Sequence, residues 1–318
     1  MTSRQVRGLA MLRAVLVGLT LVGFVAAGCA VLTDSQVAAV NQFAEATKGF
    51  GTSPGTVITA YAALRRERGL LESATRTDGS IAAKDLDSAL RQETALESRA
   101  AASDAAMRVL DDYAQMLSLL SSSKFTDDLQ NQTIALGGSI DSGIAAFNKL
   151  SVSQVNSFGD IVAGIVRAAG GIWIRHEQHK ALVAAVTQAK TPVDTLTSSI
   201  ENLMALFLGP PNDPDKNLFS RESDEVRGFL ARSQAAGRQF DVLERTQTAM
   251  RQAIDGQKLA QSSKRAAAQY RNAHNELVQA LAEGKTDLKG LVAQIQVLSQ
   301  EIKAGKRVRD EVRRARDN

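Results

Sequence analysis

The chain has 318 residues, of which 38 are basic and 34 are acidic, and it contains one cysteine. Three basic residues lie in the first 28, so charges nearly balance in the remainder, which gives no basis for global attraction to nucleic acid. A single cysteine also excludes an intrachain disulfide. Aromatic residues make up only 4% of the chain and helix-favouring residues abound, which predicts helices with alanine-rich packing.

The first 28 residues have the three parts of a secretory signal peptide. A basic start, Arg4–Arg13, is followed by the apolar run 14–25 and by the small residues that precede Cys29. A membrane-spanning helix needs about 20 apolar residues, and this run is shorter. We therefore predict a signal peptide over residues 1–28.

The end of this segment resembles the lipobox of bacterial lipoproteins, where a peptidase cuts before a cysteine that then carries lipid. Gly28 and Cys29 match its two strictest positions, while Ala26 stands where leucine is usual. The resemblance implies cleavage between Gly28 and Cys29, and acylation of Cys29 with chains such as palmitate. Ala30 is not the aspartate that retains many enteric lipoproteins in the inner membrane, which implies the periplasmic face of the outer membrane. A retained N-terminal anchor and an ordinary secreted protein are the alternatives.

Residues 29–208 are predicted to form a lipid-anchored helical bundle whose first two helices are short. The first is expected from about Ser35 to Lys48, with Asp34 or Ser35 as its N-cap. The second is expected over about Thr56–Thr75.

A long helix is predicted from Ile81 to about Ser121. Its apolar and small residues recur alternately every four and three positions, and Glu93 alone breaks the pattern. That spacing indicates a left-handed seam between helices, either within one chain or between chains. The predicted stripe is Ala82, Leu86, Ala89, Leu96, Ala100, Ser103, Met107, Leu110, Ala114, Leu117 and Ser121.

An apolar helical hairpin is predicted over about 134–174. Its first helix is capped by Thr126 and runs to about Leu150, and its second begins at Ser151 or Ser153. The hairpin is interpreted as the buried centre of a bundle, as a membrane-inserting element or as a partner-binding surface. The candidate membrane or partner contacts are Ile161, Ile165 and Trp173.

The next helix is predicted from Arg175, with a kink or a fresh start at Pro192. Residues 209–219 are rich in proline, asparagine and aspartate and predict a linker. Residues 220–318 are expected to form a long helical hairpin that packs on the bundle.

The first helix of that C-terminal hairpin is expected to be capped by Ser220. Its predicted inward stripe is Val226, Phe229, Ser233, Ala236, Phe240, Leu243, Gln247, Met250 and Ile254. The alternatives are that the helix ends near Gly256 or that it continues to Tyr270, Leu277 and Leu281. A turn over 283–286 leads to the last helix, whose predicted stripe is Leu288, Leu291, Ile295, Leu298 and Ile302.

No local motif indicates catalysis or a bound cofactor. His176 and His179 are three residues apart, not four as in the zinc-protease signature, and a third ligand would have to come from His274 or a distant carboxylate. Glycine-rich phosphate loops and nucleophile elbows are absent. We therefore predict no metal, no cofactor and no enzymatic activity.

Taken together, the sequence predicts an all-α, elongated antiparallel bundle with long coiled-coil-like helices. The predicted function is a non-enzymatic envelope scaffold or interaction module, held to the bilayer by acylated Cys29 and bound to a protein partner or to itself. The alternative is a membrane-active protein that inserts the hairpin 134–174, as helical pore-formers do. The basic end Lys303–Arg316 is interpreted as a solvated helix end or as a site for anionic lipid or cell-wall polymer.

Overall fold

The computed structural model describes residues 31–317, except 49, 51–52, 75–82, 123–125, 152, 170–174, 211–212, 214–216 and 236–239. These residues form nine helices and no strand, which confirms the all-α prediction. In chain order they are α1 (Asp34–Thr47), α2 (Ser53–Ala74), α3 (Ala83–Leu120), α4 (Asp127–Leu150), α5 (Gly159–Ala169), α6 (Arg175–Leu208), α7 (Leu218–Ala235), α8 (Phe240–Ala282) and α9 (Lys289–Asp317).

Helix α8 is the centre of the bundle. It packs most extensively against α6 and α9, then against α2 and α7. Its inward residues are mostly small and recur every three or four positions, so several helices can approach it closely. At Gly256 a Cβ atom would lie 2.6 Å from the ring of Phe219. The buried stripe of α8 is Thr246, Ala249, Ala253, Gly256, Ala260, Ser263, Ala267, Tyr270, His274, Leu277 and Leu281.

The predicted inward stripe is wrong in the first part of α8, whereas Tyr270, Leu277 and Leu281, its expected continuation, are buried. Leu243 is 44% exposed, Ile254 is 55% exposed, and Gln247 is also exposed. The physical reason is that the crowded centre admits small side chains, so the alanine-rich face turns inward and the larger residues turn outward. Val226 on α7 is buried as predicted.

The predicted stripe of α3 is confirmed from Leu96 to Ser121. Each of its residues in that range is buried, and α3 packs against α2 and α4 of the same chain. Glu93, the one break in the pattern, lies at the margin and pairs with Arg66 at 3.7 Å. The side chains of the stripe before position 91 lie outside the described residues.

Helix α1 starts at one end of the bundle, which we call the N-terminal pole. Its N-cap is Thr33, in a capping box with Gln36, and not Asp34 or Ser35 as predicted. The Gln36 side chain also donates to the carbonyls of Ala280 and Lys285, both at 3.4 Å. Since Arg175 pairs with Asp34 at 2.8 Å, the pole joins the starts of α1 and α6 to the α8–α9 turn.

The predicted hairpin is present as the antiparallel pair α4 and α5, but its second helix begins later than expected. The carboxylate of Asp141 on α4 accepts the amide hydrogens of Phe158, Gly159 and Asp160 at 3.1, 2.8 and 2.8 Å. This capping by a distant carboxylate places the start of α5 at Gly159, not at Ser151 or Ser153. Helix α5 buries one face and exposes the other, so it lies on the surface of the bundle and not at its centre.

The remaining helices depart from prediction mainly at their ends. Helix α6 runs unbroken through the buried Pro192, so no new helix starts there. Asn217, not Ser220, caps α7, because its side-chain oxygen accepts the amide of Ser220 at 2.7 Å. The α8–α9 turn uses Gly284 at φ 62°, in the left-handed region that favours glycine.

The last hairpin forms between α8 and α9, although the first arm predicted from Ser220 onward is divided into α7 and α8. The basic end of the hairpin points away from the N-terminal pole. The five stripe residues of α9, Leu288, Leu291, Ile295, Leu298 and Ile302, are all buried. Ser262 of α8 donates to the carbonyl of Glu301 at 3.0 Å, as antiparallel packing requires. At 1.5 Å per residue the 29 residues of α9 extend about 43 Å. The exposed Lys303, Lys306 and Arg307 therefore lie towards the opposite end of the bundle.

Candidate interaction groove

An open groove of about 560 Å³ lies between α1, α3 and α4. Its lining combines small apolar surfaces with amide, hydroxyl and charged side chains, and no aromatic ring is among the lining residues. The lining residues are Asn41, Ala44, Glu45, Lys48, Gln115, Ser118, Leu119, Gln132, Ala135, Leu136 and Ser139.

Hydrogen bonds fix the orientation of the polar groups on one wall of the groove. The hydroxyls of Ser118 on α3 and of Ser121, the residue directly after α3, both donate to the side-chain oxygen of Asn41, at 2.7 and 3.1 Å. Because that oxygen is occupied, the amide group of the exposed Asn41 presents its nitrogen as a donor to the groove. Glu45 and Lys48 form an exposed ion pair on the same helix.

The partly buried carboxylate of Asp111 is hydrogen-bonded to Gln115, which lines the groove. Gln115 donates to Asp111 at 3.2 Å, and burial raises the pKa of Asp111. The neighbouring charge of Asp112 also raises this pKa, whereas the Gln115 hydrogen bond and the charge of Lys48 lower it. The other oxygen of Asp111 is buried and has no hydrogen-bond partner within the described part of the chain.

The structure places the sequence-predicted contact residues on a different element. Ile161 is 47% exposed on α5, and Ile165 is half-buried one turn further along the same helix. Trp173, Gly28 and Cys29 lie outside the described residues. None of the candidate residues that the structure describes lines the groove.

The three histidines do not converge on one point. His179 bonds through Nε2 to the carbonyl of Leu281 at 3.1 Å, and burial lowers its pKa. His274 is fully buried and bonds to the hydroxyl of Tyr113 at 2.8 Å, where burial lowers its pKa to about 3. Within the described ranges, no group of three or more histidine, cysteine or carboxylate side chains could hold a metal ion.

A polar cluster of Glu222, Tyr61 and Arg68 connects two helices of the bundle. Glu222 of α7 accepts a hydrogen bond from Tyr61 at 3.1 Å and pairs with Arg68 at 3.2 Å, both on α2. Burial, followed by the charge of Glu222, raises the pKa of Tyr61 to about 12. These contacts of Glu222 hold α7 against α2.

The groove was not predicted from the sequence because no local motif encodes it. Its lining comes from three helices that are separated by up to 98 positions along the chain, from Asn41 to Ser139. Single polar residues beside buried stripes, such as Gln115 and Gln132, are ordinary features of surface helices. Only the packing of α1 and α4 on α3 brings them together.

Comparisons with protein-family models, with curated proteins and with solved structures found no match to this chain. Among the helices that the structure describes, none is both long and apolar enough to cross a membrane.

Proposed function

We propose that this protein is a lipid-anchored, non-enzymatic interaction module of the bacterial cell envelope, and that the groove between α1, α3 and α4 receives a segment of a partner protein. The observation that carries the proposal is the lining of the groove: side-chain amides and hydroxyls surround small apolar surfaces. Amides and hydroxyls complement the N–H and C=O groups of a polypeptide, and the small apolar surfaces leave room for its side chains.

The proposed anchor would keep this groove close to a membrane. Four residues separate Cys29 from Asp34, where α1 begins, and the five steps from one Cα atom to the next span at most about 18 Å. From Asp34 to Asn41 the helix rises about 10 Å more. A partner bound in the groove would therefore lie within about 30 Å of the lipid attached to Cys29. We propose that this membrane is the outer membrane and that the protein lies on its periplasmic face, as the lipobox resemblance implies.

The groove is tested by filling it. Ala135 is exposed in the lining, so Ala135→Arg adds a large side chain there without disturbing the core. We expect one or more envelope proteins that co-purify with the wild-type chain to be lost with this variant. Gln188→Arg on the exposed side of α6 is the matched control and should retain them. Equal recovery with both variants would refute binding in the groove.

The anchor is tested separately. Cys29→Ser should give protein that is unprocessed or free of lipid and that no longer fractionates with the membrane. Unchanged mass and unchanged membrane retention would refute the lipoprotein assignment while leaving the groove proposal standing.

A second candidate function is membrane insertion by the α4–α5 hairpin. The exposure of Ile161, with Ile165 one turn away, favours an apolar contact on α5. Asp160 and Arg167 are also exposed on this helix of 11 residues, which disfavours insertion. If the hairpin inserts, lipid-free protein releases dye from liposomes, and Ile165→Asp abolishes the release without unfolding the protein. Absence of release at micromolar protein would count against insertion.

A further inference from the structure

Helix α8 carries an exposed face of large residues on the side opposite its buried stripe. Leu243 and Ile254 are 44% and 55% exposed, Met250 is half-buried, and Gln247 is exposed. We call these four residues the α8 outer face. Leu243 and Ile254 remain about half accessible to solvent, so no helix of the described chain covers this face.

The spacing of the outer face is that of a helix–helix seam. Its members follow one another at four, three and four positions, which is the a/d pattern of a heptad repeat. Scattered single apolar residues on a surface need no partner, but two large ones joined by a heptad pattern form a continuous stripe along one helix. The partner that matches such a stripe is another helix with the same pattern.

The charges beside the stripe indicate that this helix is α8 of a second copy, running antiparallel. Glu244 and Arg251 are both exposed and flank the stripe on the same side, seven positions apart. When Leu243 of one copy lies opposite Ile254 of the other, Glu244 comes beside Arg251 of the second copy. Twofold symmetry repeats the contact, so two pairs of opposite charge form.

A parallel arrangement lacks this complementarity. In a parallel seam Arg251 would face Thr246 of the other copy, which is buried in its own bundle and carries no charge. Within the part of the chain that the structure describes, neither Glu244 nor Arg251 forms an ion pair. Both charges are therefore available to the antiparallel partner.

We propose that two copies of the chain associate through the α8 outer face as an antiparallel, twofold symmetric pair. This inference goes beyond the groove and depends neither on it nor on the lipid anchor. The interface has only four seam positions on each helix, so the dissociation constant should be on the order of 10–100 µM.

The association is measured by sedimentation equilibrium on the chain from residue 29 onward, with Cys29→Ser so that no lipid is present. We expect a reversible equilibrium between monomer and dimer in measurements at protein concentrations up to about 500 µM. Ile254→Lys should raise the dissociation constant at least tenfold, because it places a charge in the seam on each side. Val297→Lys on α9, where the side chain is 39% exposed, is the matched control and should leave the constant unchanged. A monomer at every concentration would overturn the proposal.

Charge reversal and cross-linking test the direction of the pair. Glu244→Arg should weaken association about fivefold, and addition of Arg251→Glu should restore it. With Cys29→Ser, the double variant Leu243→Cys/Ile254→Cys should form disulfide-linked dimers, whereas Leu243→Cys alone should not. Efficient cross-linking of Leu243→Cys alone would show a parallel pair and overturn the antiparallel assignment.

Discussion

Protonation of His274 should destabilise the fold in mild acid. His274 on α8 and Tyr113 on α3 are fully buried and share one hydrogen bond of 2.8 Å. The other ring nitrogen, Nδ1, has no hydrogen-bond partner in the described part of the chain. A protonated imidazole would need acceptors at both nitrogens, and only one has a partner here.

The size of this effect follows from the pKa. Burial lowers the pKa of His274 to about 3 from its usual 6.5; the Asp194 charge opposes the shift and Lys190 adds to it. Because the unfolded chain binds the proton more tightly, the contribution of neutral His274 to the free energy of unfolding is fully present above pH 6.5 and falls as the pH drops towards 3. Between pH 8 and pH 5 the loss is about 2 kcal/mol, and it reaches about 4 kcal/mol near pH 3.

The test compares urea unfolding of the wild type and His274→Gln at pH 8 and pH 5, followed by circular dichroism. Glutamine keeps a hydrogen-bonding group near Tyr113 but does not titrate, so other titrating groups cancel in the comparison. We expect the variant to be less stable at pH 8 and its disadvantage to shrink by about 2 kcal/mol at pH 5. An equal difference at both pH values would refute the reasoning.

The remaining predictions concern two other carboxylates and the geometry of the proposed dimer. Burial raises the pKa of Asp104 to about 6, and the carboxylate accepts the amide of Gly55. Because the folded chain binds this proton more tightly than the unfolded chain, the wild type loses stability as the pH rises from 3.8 through 6. Asp104→Asn should therefore be more stable than the wild type by about 1–2 kcal/mol at pH 8 in thermal unfolding, with the gain shrinking at pH 4; no gain at pH 8 would count against this. Asp141→Ala removes the acceptor of three amides and should cost about 2 kcal/mol and speed hydrogen exchange at the start of α5, whereas Ser142→Ala should do neither. An antiparallel pair on α8 also points the two N-terminal poles in opposite directions, so lipid-anchored wild type should cluster vesicles and the Ile254→Lys variant should not.

The sequence predicted those features that depend on contiguous residues. The stripe of α3 from Leu96 onward and that of α9 from Leu288 onward were identified because large apolar residues recur at heptad spacing along one helix. Thr126 was identified as the cap of α4 because its hydroxyl bonds within its own turn. Such interactions are local, so the order of residues is enough to specify them.

Features that depend on neighbours distant in the chain were missed. The start of α5 is set by Asp141 on the preceding helix, and Asn217 takes the capping role that was assigned to Ser220. In α8 either the alanine-rich stripe or the stripe with Leu243 and Ile254 could face inward. The alanine-rich stripe is buried because other helices pack closely around Gly256, and the sequence of α8 alone does not show this packing. The groove likewise exists only after three helices have packed together.

The claim that this molecule binds a protein partner through its groove is tested most directly by site-specific photo-cross-linking in living cells. A photoreactive amino acid replaces Gln132 in the groove or, as a control, Gln188 on the exposed side of α6, in otherwise unchanged full-length protein. We expect a reproducible cross-link to one envelope protein from position 132 that is absent from position 188 and is lost with Ala135→Arg. The same products from both positions, or none from position 132, would contradict it.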